Sequence, residues 1–166
     1  MFRLLREAPE DVWEVEALYD LAFAPGRGAL SSYRLRDGVD PLPDLCRVAR
    51  DEYDALVGAI RFWPVRIGTA GAPALLLGPV AVHPTRQGEG LGGLLIGDGV
   101  DRAAEAGWTR VALVGDEPYY RRFGFTRAEG AALIFPPPTN PDRLLARSLA
   151  PGAFDGVAGE IRRWTG

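Results

Sequence analysis

Few residues in this chain carry reactive chemistry, and most of those stand alone. In 166 residues there is one histidine (His83), one cysteine (Cys46), one glutamine (Gln87), one asparagine (Asn140) and no lysine. Without lysine there is no Schiff-base amine and no phosphate-loop ammonium. One cysteine and one histidine can build neither a disulfide framework nor a His/Cys metal cluster within a chain, so no metal site is expected. What the sequence concentrates instead is glycine. RQGEGLGG, residues 86–93, holds Gly88, Gly90, Gly92 and Gly93, and the helical pattern that follows contains Gly97 and Gly99. An interior glycine costs a helix on the order of 1 kcal/mol relative to alanine, so such a run asks for a reason.

Three uses compete. Taken literally, Gly88-x-Gly90-x-x-Gly93 matches the dinucleotide fingerprint, with Asp116 further on at the end of a strand pattern, which would make the chain an oxidoreductase. In that fingerprint the strand turns directly into the first glycine, whereas here HPTRQ separates Val82 from Gly88. A second use is a tight loop with close helix packing, for which fewer glycines suffice. The third is an anion site. Backbone amides without side chains, at the positive end of a helix dipole, can close around a phosphate, and Arg86 would add a charge-assisted contact. The number and position of the glycines favour the third.

The elements around the loop must position it. FRLLR (2–6) is a short strand candidate, and Pro9 with Glu10 and Asp11 opens a helix whose apolar residues Val12, Val15, Leu18, Tyr19, Leu21 and Ala22 recur at three- and four-residue steps. That helix is expected to end near Ala24-Pro25-Gly26. Residues 26–44 read as a loop, with room for a short helix around Tyr33. CRVARDEY and ALVGAIRFWPVRI alternate as an antiparallel hairpin turning near Tyr53-Asp54. ALLLGPVAVHP is apolar enough for a central strand, yet Pro79 in its middle removes a ladder donor and argues for a bulge or for a parting from the neighbouring strand. A helix from Gly90, capped by Gly107, leads to the strand WTRVALVG, a helical turn at YYRRF closed by Gly124, a strand FTRAEGAALIF and one or two strands in the tail. The order of elements implies a mixed sheet with helices packed on it, an α/β or α+β fold in one domain spanning 1–166.

Composition narrows the partners. A net charge of -3 and a pI near 5.2 give no basic field for nucleic acid or an anionic membrane, so neither partner is expected. All 19 basic residues are arginine, so arginine abundance alone carries little functional weight. The N-terminus has charges where a signal peptide needs an apolar core, and no uninterrupted apolar run approaches membrane-spanning length; a soluble, cytoplasmic protein is the expectation.

VAVHPTRQGEGLGGLLI resembles the acetyl-CoA signature of the GNAT superfamily of N-acetyltransferases, whose pattern of Gln or Arg, two residues, Gly, one residue, and Gly or Ala is met by Gln87, Gly90 and Gly92. YYRRFGF resembles the second landmark of that family, a tyrosine followed by Gly-Phe, as Tyr120, Gly124 and Phe125. One helix and one strand separate the two, and VAVHPxxQGxGxG with PYYxRFGF is most similar to the small bacterial branch labelled YhbS-like. The resemblance implies a mostly antiparallel sheet of six to seven strands splayed at its central strand, with helices on both faces. It implies acetyl-CoA as co-substrate and an amine on a small molecule or peptide as acceptor. The backbone of Val80, Ala81 and Val82 would pair with the pantetheine arm, Val82 N–H facing the thioester carbonyl. The amides along Gln87, Gly88, Glu89, Gly90, Leu91, Gly92 and Gly93, with Arg86 beside them, would hold the pyrophosphate, and Tyr120 would be the general acid.

A neutral amine attacking a thioester needs a donor at the developing oxyanion and a proton source at the departing thiolate, and it needs no covalent enzyme intermediate. Cys46 is accordingly read as a small buried side chain, and Tyr119 as packing against the core or the pantetheine. Asp116, Glu117, His83 and Glu52 all stand open as the base, each with the plainer reading of a turn residue or cap. Asp116-Glu117-Pro118 stands where many family members have an asparagine contacting the cofactor. The acceptor falls to the loop 26–44, the hairpin turn and the tail after Pro136, where Tyr33, Arg34 and Arg36 could receive a carboxylate. A homodimer stays open, as does a non-catalytic acyl-CoA binding or sensing module.

Overall fold

The computed structural model describes residues 1–23, 34–137 and 139–165; the expected end of the first helix at 24–26 and the short helix around Tyr33 lie outside them. Among the described residues there are eight strands: β1 (Arg3–Arg6), β2 (Arg47–Arg50), β3 (Leu56–Ile67), β4 (Ala72–Val82), β5 (Arg110–Val114), β6 (Leu133–Ile134), β7 (Leu144–Ser148) and β8 (Gly159–Arg163). Among the described residues the helices α1 (Val12–Ala22), α2 (Leu91–Glu105) and the single turn α3 (Glu117–Tyr120) accompany them.

The sheet runs β1-β2-β3-β4-β5-β7, while β8 pairs with the far half of β3 and with β6. Only β4–β5 and β6–β8 are parallel, so the sheet is mixed and mostly antiparallel as expected, with one strand more than the upper expectation. Period-two alternation gives it two apolar faces. Val15, Leu18 and Tyr19 of α1 pack on Val48, Ala59 and Ala81 from one side, and Leu91, Leu95 and Val100 of α2 pack on Ala49, Ile60 and Phe62 from the other. Each such aliphatic side chain taken fully out of water contributes about 1.5–3 kcal/mol. Val12 and Leu21, which share the periodicity of α1, instead face solvent. A third cluster closes the lower sheet, Trp63, Val65 and Leu76 meeting Leu133, Phe135, Phe154 and Ile161 from the tail.

The expected strand FTRAEGAALIF is shorter than its composition suggests. Thr126 makes one bridge to Ala146, residues 127–132 form turns, and only Leu133–Ile134 extends. Three turn-forming bonds, Gly130 N to Arg127 O, Ala131 N to Ala128 O and Leu133 N to Gly130 O, hold the intervening backbone in place of a ladder.

Candidate active site

The sheet opens at its middle. β4 and β5 pair through only two registers, Leu75 with Val111 and Leu76 with Ala112, after which β4 continues along β3 alone and β5 along β7. The break falls at Gly78-Pro79, a cis peptide, where the β3–β4 register slips by one residue between Ile60–Val80 and Phe62–Leu77. Pro79 thus marks both the bulge and the parting that its position in an apolar strand predicts. Two side chains receive the bulge's carbonyls: Trp63 Nε1 donates to Gly78 O at 2.7 Å, and the buried Tyr19 hydroxyl donates to Pro79 O at 2.9 Å. Neither residue stood out as a site candidate in the sequence. A Tyr or Trp on a core face needs a partner for its polar end, and that requirement is the signal that would have found them.

Past the bulge the ladder fixes which amides are used. His83 N donates to Val57 O at 2.8 Å, and antiparallel alternation then directs the Ala81 amide to β3 and those of Val80 and Val82 to the open side. The side chains of Val80 and Val82 pack toward the α2 cluster, which also takes Tyr120 and Phe123.

The glycine loop follows directly, and its glycines serve two different ends. Gly88 (φ 86°) and Gly90 (φ 80°) hold left-handed backbone, Gly90 as the residue that caps α2, and a Cβ at either would meet no atom within 4 Å. Backbone conformation, and not space, calls for glycine there. Gly92 and Gly93 are close-approach positions: a Cβ at Gly92 would lie 3.2 Å from the Tyr119 hydroxyl, and one at Gly93 3.3 Å from Phe123 Cζ. The first-turn amides of α2 have no acceptor within the helix, so the loop presents a cradle of donors on open ground. Gln87 and Glu89 are exposed on it.

Arg86, at the start of that loop, is paired with carboxylates. Its Nη2 donates to Asp51 Oδ2 at 2.9 Å and to Glu52 Oε1 at 3.1 Å, and Glu89 lies 3.8 Å from Nη1. These carboxylates, Asp51 first, push its pKa up. Burial works against the Asp51 charge, but the amides of Ala55 and Tyr53 together with Arg86 hold the carboxyl below its ordinary range. Arg86 so ties the end of the glycine loop to the β2–β3 turn.

Tyr120 sits under the splay, edge-on to Phe125 at 6.3 Å and against Gly115, where no side chain could be added without striking its ring. Burial pushes its phenol up to about 12, the neighbouring Tyr119 adding to this, so it stays a proton donor throughout the neutral range. Tyr119, the exposed partner, turns its hydroxyl toward Gly92.

The four candidate bases all have structural occupations. Glu117 Oε2 accepts from Arg127 N at 2.8 Å and lies 3.4 Å from Arg121, which together hold its carboxyl below the usual range. His83 caps the turn 84–86 through Nδ1, accepting from Thr85 N at 3.2 Å. Glu52 is taken by Arg86, and Asp116 stands 3.4 Å from Arg143. Cys46 is buried, as read from its sequence, and its thiol is pushed up to about 11 by that burial.

On the α1 face, two of the segments named for the acceptor meet: Arg34 Nη1 donates to Pro137 O at 3.2 Å. Arg36 is buried beneath the bulge, its guanidinium 5.4 Å from the Trp63 ring centroid and next to Gly78. Tyr33 lies outside the described residues. Among the described residues no group of three or more His, Cys, Asp and Glu side chains gathers as metal ligands would, and no helix is long and apolar enough to cross a membrane.

Residues 43–127 match the sequence profile of the acetyltransferase (GNAT) domain. YhbS of Escherichia coli K12, an uncharacterised N-acetyltransferase, is 30% identical over 155 residues, which are 93% of this chain and 92% of that protein. The crystal structure of E. coli YhbS in complex with CoA matches with TM-score 0.82 over 99% of this chain and 89% of its own. A GNAT-family acetyltransferase from Brucella melitensis, solved with acetyl-CoA, matches with TM-score 0.73 at 28% identity over 99% and 97% of the two chains.

Proposed function

The chain belongs to the GNAT family of acetyltransferases, and from that premise we propose that it transfers the acetyl group of acetyl-CoA to a primary amine on a small molecule or peptide. The observation that carries the reading is the juxtaposition of the β4–β5 opening, with the Val80 and Val82 amides on its free side, and the glycine cradle at the start of α2. The residues present fit the co-substrate. A pantetheine arm can pair with β4 as a missing strand would, and pyrophosphate oxygens suit the amides from Gln87 to Gly93. That CoA and acetyl-CoA are bound by the two structural relatives supports the same assignment. The shallow cavity of about 320 Å³ beyond the loop, lined by Gly97, Arg122, Phe123 and Arg147, suits the adenosine end.

Acetyl-CoA supplies an activated acetyl group, and the acceptor nitrogen displaces the thiolate to form an amide and free CoA. The Val82 N–H would hold the carbonyl oxygen as charge develops on it. Tyr120, kept protonated by burial, would donate to the departing sulfur. Positioning of the amine against the thioester carries much of the remaining rate. Because Asp116, Glu117, His83 and Glu52 are each engaged, the proton leaving the amine passes to water or to one of these through water. Arg86 would act on the pyrophosphate only by giving up Asp51 and Glu52, so its part is to hold the loop.

The acceptor would approach on the α1 face of the bulge, past the Arg34–Pro137 contact. Calorimetric titration tests the cofactor directly: micromolar to low millimolar binding of acetyl-CoA supports the reading, and binding of NAD in its place would replace it with the dinucleotide one.

A further inference from the structure

Tyr119 is placed where packing alone does not require a hydroxyl. A Cβ at Gly92 would stand 3.2 Å from its oxygen and 3.7 Å from Val82 Cγ2. The hydroxyl therefore lies over Gly92, in the first turn of α2, and Gly92 in turn faces the Val82 side chain of the strand whose amides face the opening. The ring that carries it is held from three sides: edge-on to Tyr120 at 5.0 Å and 89°, edge-on to Phe123 at 5.5 Å, and with the Arg122 guanidinium 4.8 Å from its centroid. Arg122 Nε also donates to the Tyr119 carbonyl at 3.0 Å, which fixes the guanidinium in that position. A surface tyrosine with no task would not need its ring set by two aromatics and an arginine.

We propose that the Tyr119 hydroxyl hydrogen-bonds an amide of the pantetheine arm. The proposal rests on the acetyl-CoA assignment made above. An arm amide offers one donor and one acceptor, and a phenolic hydroxyl serves either, whereas a phosphate offers only acceptors, which the amides of the glycine cradle already address. Gly92, which the hydroxyl overlies, faces Val82 on the strand the arm would follow, and this sets the contact on the arm. Tyr120, partly buried against Phe123 and Phe125, then keeps the proton-donating part, and the two neighbouring tyrosines divide binding from chemistry.

The test compares wild type with Tyr119→Phe using two donors, acetyl-CoA and S-acetylpantetheine, which lacks the pyrophosphate and adenosine. The expected result is a fall in kcat/KM of about 3- to 10-fold with both donors, the worth of roughly one net hydrogen bond, with kcat at saturating acetyl-CoA and the melting temperature essentially unchanged. An unchanged kcat/KM for acetyl-CoA overturns the proposal. A penalty that vanishes with S-acetylpantetheine also overturns it, because the hydroxyl would then serve a phosphate. A fall in kcat without a change in KM overturns it in favour of a chemical role for Tyr119. A wild-type chain without affinity for acetyl-CoA would instead remove the functional reading on which the proposal stands.

Discussion

The Tyr19 hydroxyl reaches across from α1 to donate to the Pro79 carbonyl at 2.9 Å, tying a helix on one face of the sheet to the bulge that opens its middle. The residue before Pro79 is held in the same way, Trp63 Nε1 meeting Gly78 O. These two bonds determine where β4 stands when its amides face the opening. Removing only the oxygen, with Tyr19→Phe, leaves a part-buried carbonyl without its partner. A loss of about 1–2 kcal/mol in chemical denaturation is expected, together with a several-fold fall in kcat. An unfolding midpoint and kcat both equal to wild type would show that the bulge holds itself.

The glycines inside α2 separate by environment. Gly97 has no atom within 4 Å of a Cβ position, while a Cβ at Gly99 would come within 2.5 Å of the buried Phe62 ring. Gly97→Ala should stabilise the protein by about 0.5–1 kcal/mol through helix propensity. Gly99→Ala should destabilise it by about 1–3 kcal/mol through overpacking, and Phe62→Leu in the same chain should recover part of that loss. Equal effects of the two alanines on the denaturation midpoint would contradict this division.

Acid stability should depend on Arg86. Asp51, Glu52 and Glu117 have folded-state pKa values below those of the unfolded chain. Such groups add stability that is fully present above the unfolded carboxylate range, near pH 4, and is lost as pH falls through the lower folded values. Arg86→Gln removes the partner shared by Asp51 and Glu52. It should lower stability at neutral pH and flatten the decline below about pH 4. Denaturation curves at several pH values check this, and an unchanged slope would mean that the arginine does not hold these carboxyls down.

The Tyr120 phenol, raised to about 12, bears on the rate profile. Its protonated form is stable in the folded chain up to the unfolded value near 10, and it ionises only above that. With saturating acceptor, kcat should therefore show no falling limb between about pH 8 and about pH 10. A limb in that interval, present in wild type and absent in Tyr120→Phe, would show that the phenol titrates lower than its burial implies.

Much of this arrangement is legible in the residues. Pro79 inside an apolar strand foretells both bulge and splay, Gly90 and Gly107 bound α2, and the alternation of 47–67 gives the hairpin. What escapes local pattern is long-range pairing. Tyr19 reads as one more core residue because its partner lies 60 positions away. Arg86 reads as an unpaired cation because the turn carrying Asp51 and Glu52 returns to it only in the fold. FTRAEGAALIF has strand composition, yet turn bonds around Gly130 interrupt it. Glycine spacing alone does not separate Gly88 and Gly90, set by backbone conformation, from Gly92, Gly93 and Gly99, set by aromatic neighbours.

Release of free CoA thiol from acetyl-CoA tests most directly whether an acetyl group passes to an amine at the β4–β5 opening. Wild type should release thiol only when an acceptor amine is present, with Tyr120→Phe slower in kcat by about a hundredfold or more and acetyl-CoA affinity within about twofold of wild type. Tight acetyl-CoA binding without thiol release across a broad amine panel would contradict that transfer and make the chain an acyl-CoA binding module; full activity in Tyr120→Phe would contradict the role of that tyrosine.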